Sequence, residues 1–289
     1  MKILLALFLL TGQNFQTAGT FEIVNPQIKQ GDTLIVNINP QWRDPGVGIN
    51  VFGKNYTPNK FGRVFIGIAV DTLPGKHSLF LTDYGRIRTD VVSYQIEVVE
   101  KEFPEWFRGR APVLSKTVEQ RLEKDRELKE KAYKSGSVFE DHTSGQYIYP
   151  LEDIFVTSEF GSRRIYGSYS KNRKQINIER VVSHGGVDLR ARIPTEVRAI
   201  NSGWVILARR LLADGNLLII DHGSGVVSMY LHLSRLKVKE GDTVKKGQII
   251  AYTGTTGSVP PHLDFRIKVW STDIDPLEFI ENYNKNIAP

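Results

Sequence analysis

Three short segments carry the residues that could do chemistry. In Ser183-His184-Gly185-Gly186-Val187-Asp188, a histidine and an aspartate stand four residues apart with two glycines between them. Glycine permits the tight backbone that would let both side chains reach one ion. Taken alone, a His-x-x-x-Asp pair is common by chance. In Pro260-Pro261-His262-Leu263-Asp264-Phe265-Arg266-Ile267-Lys268-Val269 the alternation is that of a strand, so residues two apart share a face. His262, Asp264, Arg266 and Lys268 then line one side, and Leu263, Phe265, Ile267 and Val269 form the core side. A half-exposed strand explains the alternation but not why the polar side opens with His and Asp. The third segment, Met229-Tyr230-Leu231-His232-Leu233-Ser234, is an apolar strand with one histidine in its middle, where a hydrogen-bonded core residue is the plain alternative. His222 precedes a turn and reads as structural, and His77 and His142 as surface residues.

The rest of the composition narrows this chemistry. The chain has no cysteine and only six histidines, so disulfides, thiolate zinc sites and a thiol nucleophile are excluded. A metal site must be built from His, Asp and Glu. The formal net charge of +6 comes from Lys and Arg spread along the chain. A nucleic-acid binder would gather its cations in a stripe, so an acidic polymer at a cell surface fits at least as well. Apolar residues at 40% and charged residues at 24% argue against global disorder.

Several elements must position these segments. A length of 289 residues suggests two domains. Residues 1–19 begin Met1-Lys2 and run apolar from Ile3 to Leu10, which reads as a secretory signal peptide cut near Ala18 or Gly19. From 20 to 101 the pattern is strand and turn: Leu34, Val36 and Ile38 alternate, as do Tyr94, Ile96 and Val98, and Asp44-Pro45-Gly46 marks a turn. That predicts a small antiparallel β-sandwich serving as a spacer or binding module. Residues 102–146 form a linker in which Ser115 to Lys134 is helical, with a thin apolar stripe of Val118, Leu122, Leu128 and Ala132. More than half of that helix is charged, in both signs, which predicts a solvated arm resting lightly on one domain. Residues 147–289 return to strands and contain the three chemistry-bearing segments.

Together, FGSRR (160–164), HGGVDLRA (184–191), LLIIDHGSGVVSMYLHLS (217–234), VKEGDTVKKGQIIAYTGTTG (238–257) and PPHLDFRI (260–267) resemble the lysostaphin/LytM-type zinc metallopeptidases, which cut peptide cross-links of bacterial peptidoglycan. The resemblance covers about residues 147 to 280. It implies a mainly β protein: an N-terminal Ig-like β-sandwich, a helical linker and a C-terminal β-rich peptidase domain with a duplicated hybrid motif. It also implies a secreted endopeptidase in the periplasm or outside the cell, acting on peptidoglycan through a zinc-bound water. Carried over by position, His184 and Asp188 become zinc ligands and His232 and His262 catalytic residues. One of that pair would take the water's proton, and the other would hydrogen-bond the oxyanion or leaving amine. The third ligand of the family is a histidine, where this chain has Asp264. One His and two Asp would leave a single zinc ion formally neutral, and so a weaker Lewis acid than two His and one Asp.

The resemblance implies no nucleic-acid partner and no membrane attachment after signal cleavage, and it leaves room for a partner cell-wall hydrolase or divisome protein. Arg163, Arg164 and Tyr166 could line the groove, and the stretch to Val182 could cap it. The alternative is a catalytically silent domain of this type that binds cell wall or activates a partner hydrolase. A biotin- or lipoyl-carrier hairpin at Val238–Gly257 is a weaker alternative, because no lysine is presented at a hairpin tip in the required context.

Overall fold

The computed structural model describes residues 21–38, 47–84, 89–170, 175–257 and 259–287. The expected signal segment 1–19 and the turn at Asp44-Pro45-Gly46 lie outside the described residues. The protein is mainly β. In its first part, a three-stranded sheet (Phe21–Ile23, Thr33–Ile38, Arg63–Gly67) faces a five-stranded one (Gln27–Lys29, Thr89–Val99, Gly75–Tyr84, Val47–Val51, Lys54–Tyr56). Leu34, Val36, Val64 and Ile66 from the first sheet meet Ile49, Val51, Leu79, Leu81, Ile96 and Val98 from the second. The period-two alternation in the sequence therefore marks this core as expected.

The opposite face of the smaller sheet is also buried. Ile35 and Phe65 join the hydrophobic core of the C-terminal part instead of meeting solvent. Phe65 stacks on Tyr283 at 5.9 Å between ring centroids and meets Phe279 edge-on at 6.3 Å. Both partners lie on helix α2 (Pro276–Asn286), whose N-terminus is capped by Asp275. Polar contacts frame this patch: the Asn282 amide donates to both oxygens of Asp32 at 2.9 and 3.0 Å, and the Lys101 ammonium reaches Asp275 and Glu278 at 3.1 Å each. The N-terminal part is thus more than a spacer.

In the C-terminal part the main sheet runs Val156–Ser158, Val187–Arg190, His262–Val269, Val226–Leu233, Gly215–Asp221, Gly203–Leu211, Thr243–Val244, with Thr272–Ile274 added beside His262–Val269. A three-stranded sheet (Glu196–Arg198, Ile249–Tyr252, Arg235–Leu236) covers one face. Between them lie Val187, Leu189, Val197, Leu218, Ile220, Tyr230, Ile250, Leu263, Phe265 and Ile267. His222 is fully buried at the end of this core, as a structural residue. Its Nδ1 lies 2.8 Å from the Ser202 carbonyl and its Nε2 2.8 Å from Ser228 Oγ. Burial pushes its pKa down to about 4, so it stays neutral.

The other face of the main sheet carries helix α1 (Lys116–Ser135), capped by Ser115. The helix lies where the sequence predicts it, but it is no loose arm. Ala132 is buried with Leu217, Ile219, Val227, Met229 and Leu231, and Leu128 and Tyr133 pack against them. On the same helical face, the Asp125 carboxylate accepts from Leu212 N at 2.7 Å and Lys129 Nζ reaches Asp214 at 2.7 Å. The Tyr133 hydroxyl donates to Met229 Sδ at 3.3 Å. The charge count hid this contact because two of the charged residues are docking residues.

The linker also contributes Glu105–Phe107, which pairs in parallel with Arg163–Tyr169; that strand in turn pairs with Ile176–Ser183. The smaller sheet gives one face to each core, with Phe65 on the C-terminal side, and this should make the two unfold together. Phe65→Ala is expected to cost about 3–5 kcal/mol, with one calorimetric transition in both proteins; two separated transitions in the parent chain would contradict a shared core.

Candidate active site

Register builds the site. Asp188 stands directly opposite Asp264 on one side, and Leu231 opposite Asp264 on the other. Residues paired across antiparallel strands share a face, so both carboxylates lie on the face of the sheet that also carries α1. His184 sits just before the Val187–Arg190 strand, with its side chain only 3% exposed. His262 begins its strand opposite Arg190. His232 needs a special arrangement. Strict alternation would send it into the core, because its neighbour Leu231 faces the site. Between the pairs Leu218–Tyr230 and Asn216–Leu233 the register shifts, and His232 adopts φ of 61°. The extra residue of a bulge re-aims its side chain. Gly257 packs beside it: a Cβ there would lie 2.4 Å from the Ala213 carbonyl and 3.0 Å from His232 Nδ1.

The five residues converge. His184 Nε2 lies 3.3 Å from Asp188 Oδ1 and 3.6 Å from Asp264 Oδ2. His262 Nε2 is 3.5 Å from Asp188 Oδ1, and His232 Nε2 is 4.0 Å from Asp264 Oδ2. The two imidazoles face one another at 4.9 Å between centroids. Each histidine is oriented through Nδ1: His232 at 2.8 Å from the Thr256 carbonyl, His262 at 2.7 Å from the Pro260 carbonyl, and His184 at 3.3 Å from the Glu159 carbonyl, with Ser158 Oγ at 3.4 Å. A carbonyl can only accept, so each Nδ1 carries a proton and each Nε2 points into the site.

His184, Asp188 and Asp264 bring one ligand atom each within 4.8 Å of one another. A tetrahedral zinc with bonds of about 2.0–2.2 Å spaces its ligand atoms about 3.3–3.6 Å apart, which is the range of the His184 distances. His184 Nε2 is buried and makes no hydrogen bond, as a nitrogen reserved for a metal would be. The donor set therefore fits zinc.

The surroundings differ from the sequence expectation in one respect. Asp264 is held in a two-point ion pair by Arg266, with Nε to Oδ1 at 2.8 Å and Nη2 to Oδ2 at 2.6 Å. The sequence places Arg266 on this face, and an Asp-x-Arg in a strand is a readable signal for such a pair, but reading the site as one His and two Asp leaves the guanidinium out. Of the two arginines expected at the groove, Arg164 approaches Asp188 at 3.8 Å, whereas Arg163 turns to Glu105 at 2.7 Å. Part of the stretch between Tyr166 and Val182, residues 171–174, lies outside the described residues. The helix reaches the site indirectly, since Asp214, which takes Lys129, also accepts the His232 backbone N–H on its carbonyl at 3.0 Å.

Protonation follows from these contacts. Burial alone would lower the pKa of His184, but the Asp188 and Asp264 carboxylates reverse this and raise it to about 9. Burial lowers that of His232, helped by His262 and Arg266, against the Thr256 carbonyl and Asp264. Burial would raise Asp264, but Arg266 and then His184 hold it well below the usual carboxylate range.

Residues 182–276 match the family model Peptidase family M23. The chain is 38% identical over 131 residues to the peptidoglycan DD-endopeptidase ShyB of Vibrio cholerae, a match covering 45% of this chain and 29% of ShyB. It is 42% identical over 106 residues to lysostaphin of Staphylococcus simulans, covering 34% of this chain and 22% of that one. The matches span about a third or less of these curated relatives. A solved structure from Pseudomonas aeruginosa, described as an M23 peptidase, superposes with a TM-score of 0.62 at 21% identity over 87% of this chain and 93% of that one. The likeness in fold thus extends over both parts of the molecule.

The two histidines with opposite shifts bound the stability of the metal-free protein. His184, raised from 6.5 to about 9, contributes fully below pH 6.5 and loses that contribution as pH rises through 9. His222, lowered from 6.5 to about 4, contributes fully above pH 6.5 and loses it as pH falls towards 4. Chelator-treated protein should therefore melt highest near pH 6.5, as read by differential scanning fluorimetry. His184→Gln should flatten only the alkaline limb; an unchanged alkaline limb would refute the assignment.

Proposed function

The C-terminal part of the chain is a peptidase family M23 domain, a LytM-type metallopeptidase domain homologous to lysostaphin and the Shy endopeptidases, and from that premise we propose that this protein is an exported zinc-dependent endopeptidase that hydrolyses peptide cross-links of bacterial peptidoglycan. The observation that carries the reading is His184 Nε2, buried without a hydrogen-bond partner between the carboxylates of Asp188 and Asp264, each of which also has a further imidazole within 4.0 Å. No helix among the described residues is long and apolar enough to cross a membrane. The net charge of +6 suits a cell-wall polymer whose peptide stems carry carboxylates.

In this reading His184, Asp188 and Asp264 hold the metal, which when bound polarises the scissile carbonyl and lowers the pKa of a water. His232, kept neutral by burial, offers Nε2 as the base that takes the proton of the attacking water, and its Nδ1–H on the Thr256 carbonyl steadies the resulting imidazolium. The same imidazolium then returns that proton to the leaving amine. His262, with Nε2 beside Asp188 and the more exposed of the two rings, faces the carbonyl oxygen and hydrogen-bonds it as it gains charge. Arg164 at the rim pairs with stem carboxylates.

The test is metal analysis of the purified chain together with release of free amines from isolated peptidoglycan. His184→Ala is expected to lose both metal and activity. His232→Ala and His262→Ala are expected to keep the metal and lose about 10²-fold or more in rate. A chain that holds zinc but releases no amines would be a wall-binding domain and not a hydrolase.

A further inference from the structure

We propose that Arg266 is a positioning residue that makes Asp264 a working substitute for a histidine ligand, an inference that rests on His184, Asp188 and Asp264 holding zinc. The fork geometry supports it first. Nε and Nη2 of Arg266 bind separate oxygens of Asp264 at 2.8 and 2.6 Å, which fixes the plane of the carboxylate. Each oxygen spends one lone pair on the guanidinium and keeps another. Oδ2 keeps its free side towards His184 Nε2 at 3.6 Å. The short aspartate is thereby held with one chosen oxygen turned to the metal position.

Charge is the second argument. A carboxylate in place of an imidazole adds one negative charge to the donor set, and the guanidinium restores the balance of a site with two neutral ligands and one anionic ligand. Hydrogen bonds from the cation also draw electron density from Oδ1 and Oδ2, making Asp264 a weaker donor, closer to imidazole. The expected loss of Lewis acidity is offset within the same strand.

The backbone is shaped for this arrangement. A Cβ on Gly186 would lie 2.4 Å from Arg266 Cγ, so the stem of Arg266 passes over a glycine of the segment that supplies His184 and Asp188. The pair is sheltered, with the Asp264 side chain 5% exposed and that of Arg266 25%.

Zinc affinity, measured by competition with a chromophoric chelator, separates this role from a general structural one without relying on hydrolysis. Arg266→Met is expected to weaken zinc binding about 10- to 100-fold, because the carboxylate released from the fork turns off the metal position and that loss outweighs its gain in donor strength. Arg266→Lys, which keeps the charge but not the fork, should fall between parent and Arg266→Met. In an Asp264→His background, where no carboxylate needs compensation, Arg266→Met should change affinity by less than about threefold, taking tenfold or more as the mark of a lost outer-shell partner.

Equal affinity of Arg266→Met and parent, or an equal loss in both backgrounds, overturns the proposal. If Arg266→Met alone fails to fold, two comparisons carry the same decision. One is Arg266→Lys with the parent; the other is Asp264→His with Asp264→His/Arg266→Met. A parent chain that binds no zinc removes the metal site and this role together. A parent that binds zinc but leaves peptidoglycan intact counts against the hydrolase reading alone.

Discussion

The site depends on one register, the antiparallel pairing that sets Asp264 between Asp188 and Leu231. A slip by one residue would turn Leu263, Phe265, Ile267 and Val269 to the open face and drive Asp264 and Arg266 into the core. Each of those four apolar side chains is fully buried, worth about 1.5–3 kcal/mol apiece. Their sum is comparable to the whole stability of a typical domain, before the cost of burying the ion pair among apolar neighbours is counted. The same residues that make the core therefore aim the proposed metal ligands. The proposed catalytic geometry needs no separate device, except at His232.

At His232 the sheet's alternation and the site's demand conflict, and the bulge resolves the conflict. Its left-handed backbone is held by contacts outside its own strand: the His232 N–H to the Asp214 carbonyl, and Gly257 close against the ring. The loop that offers this carbonyl is gripped by α1 through Asp125 and Lys129. A helix from the linker thus braces the turn that supports a proposed catalytic residue, and it covers part of the face on which substrate must lie. On the other side of the molecule, Phe65 and α2 tie the N-terminal sheets to the core beneath the site. Both attachments join elements distant in sequence, so the scaffold is held by long-range packing and not by the strands of the site alone.

Much of this was legible in the sequence, for reasons that can be named. Alternation marked the core and polar faces of His262–Val269, and Ser115 and the charged run located α1 almost to the residue. The order of the motifs singled out His184, Asp188, His232, His262 and Asp264, which the fold brings to one place. What escaped reading depends on contacts between distant segments. Ile35 and Phe65 lie in the strands of the smaller sheet, and nothing local says that their second face meets another domain. Lys129 and Asp125 read as solvent charges because their partners are Asp214 and Leu212 N, far along the chain. The bulge at His232 follows from pairing with Gly215–Asp221, not from its own neighbours. Arg266 was visible on the right face, but its role emerges only with the two distances to Asp264.

Asp264 could belong to a site that has lost its metal and kept its fold, and the local chemistry argues against that. A buried aspartate and a nearby arginine can satisfy each other without any metal, so the ion pair alone decides nothing. His184 is different. Its Nε2 is buried between two carboxylates that favour its charged form, yet it is aligned for a hydrogen bond with neither. A fold free to dispense with metal could rotate one carboxylate into line and complete the ion pair. Instead, Nδ1 is anchored at Glu159 and Ser158, Asp264 is clamped by Arg266, and the two Nε2 atoms of His232 and His262 look inward from their own carbonyl anchors. Each group is fixed from behind and left open in front. That is the arrangement expected of ligands and bases held ready for an ion and its substrate, and it requires no histidine at position 264 so long as Arg266 stands behind the aspartate.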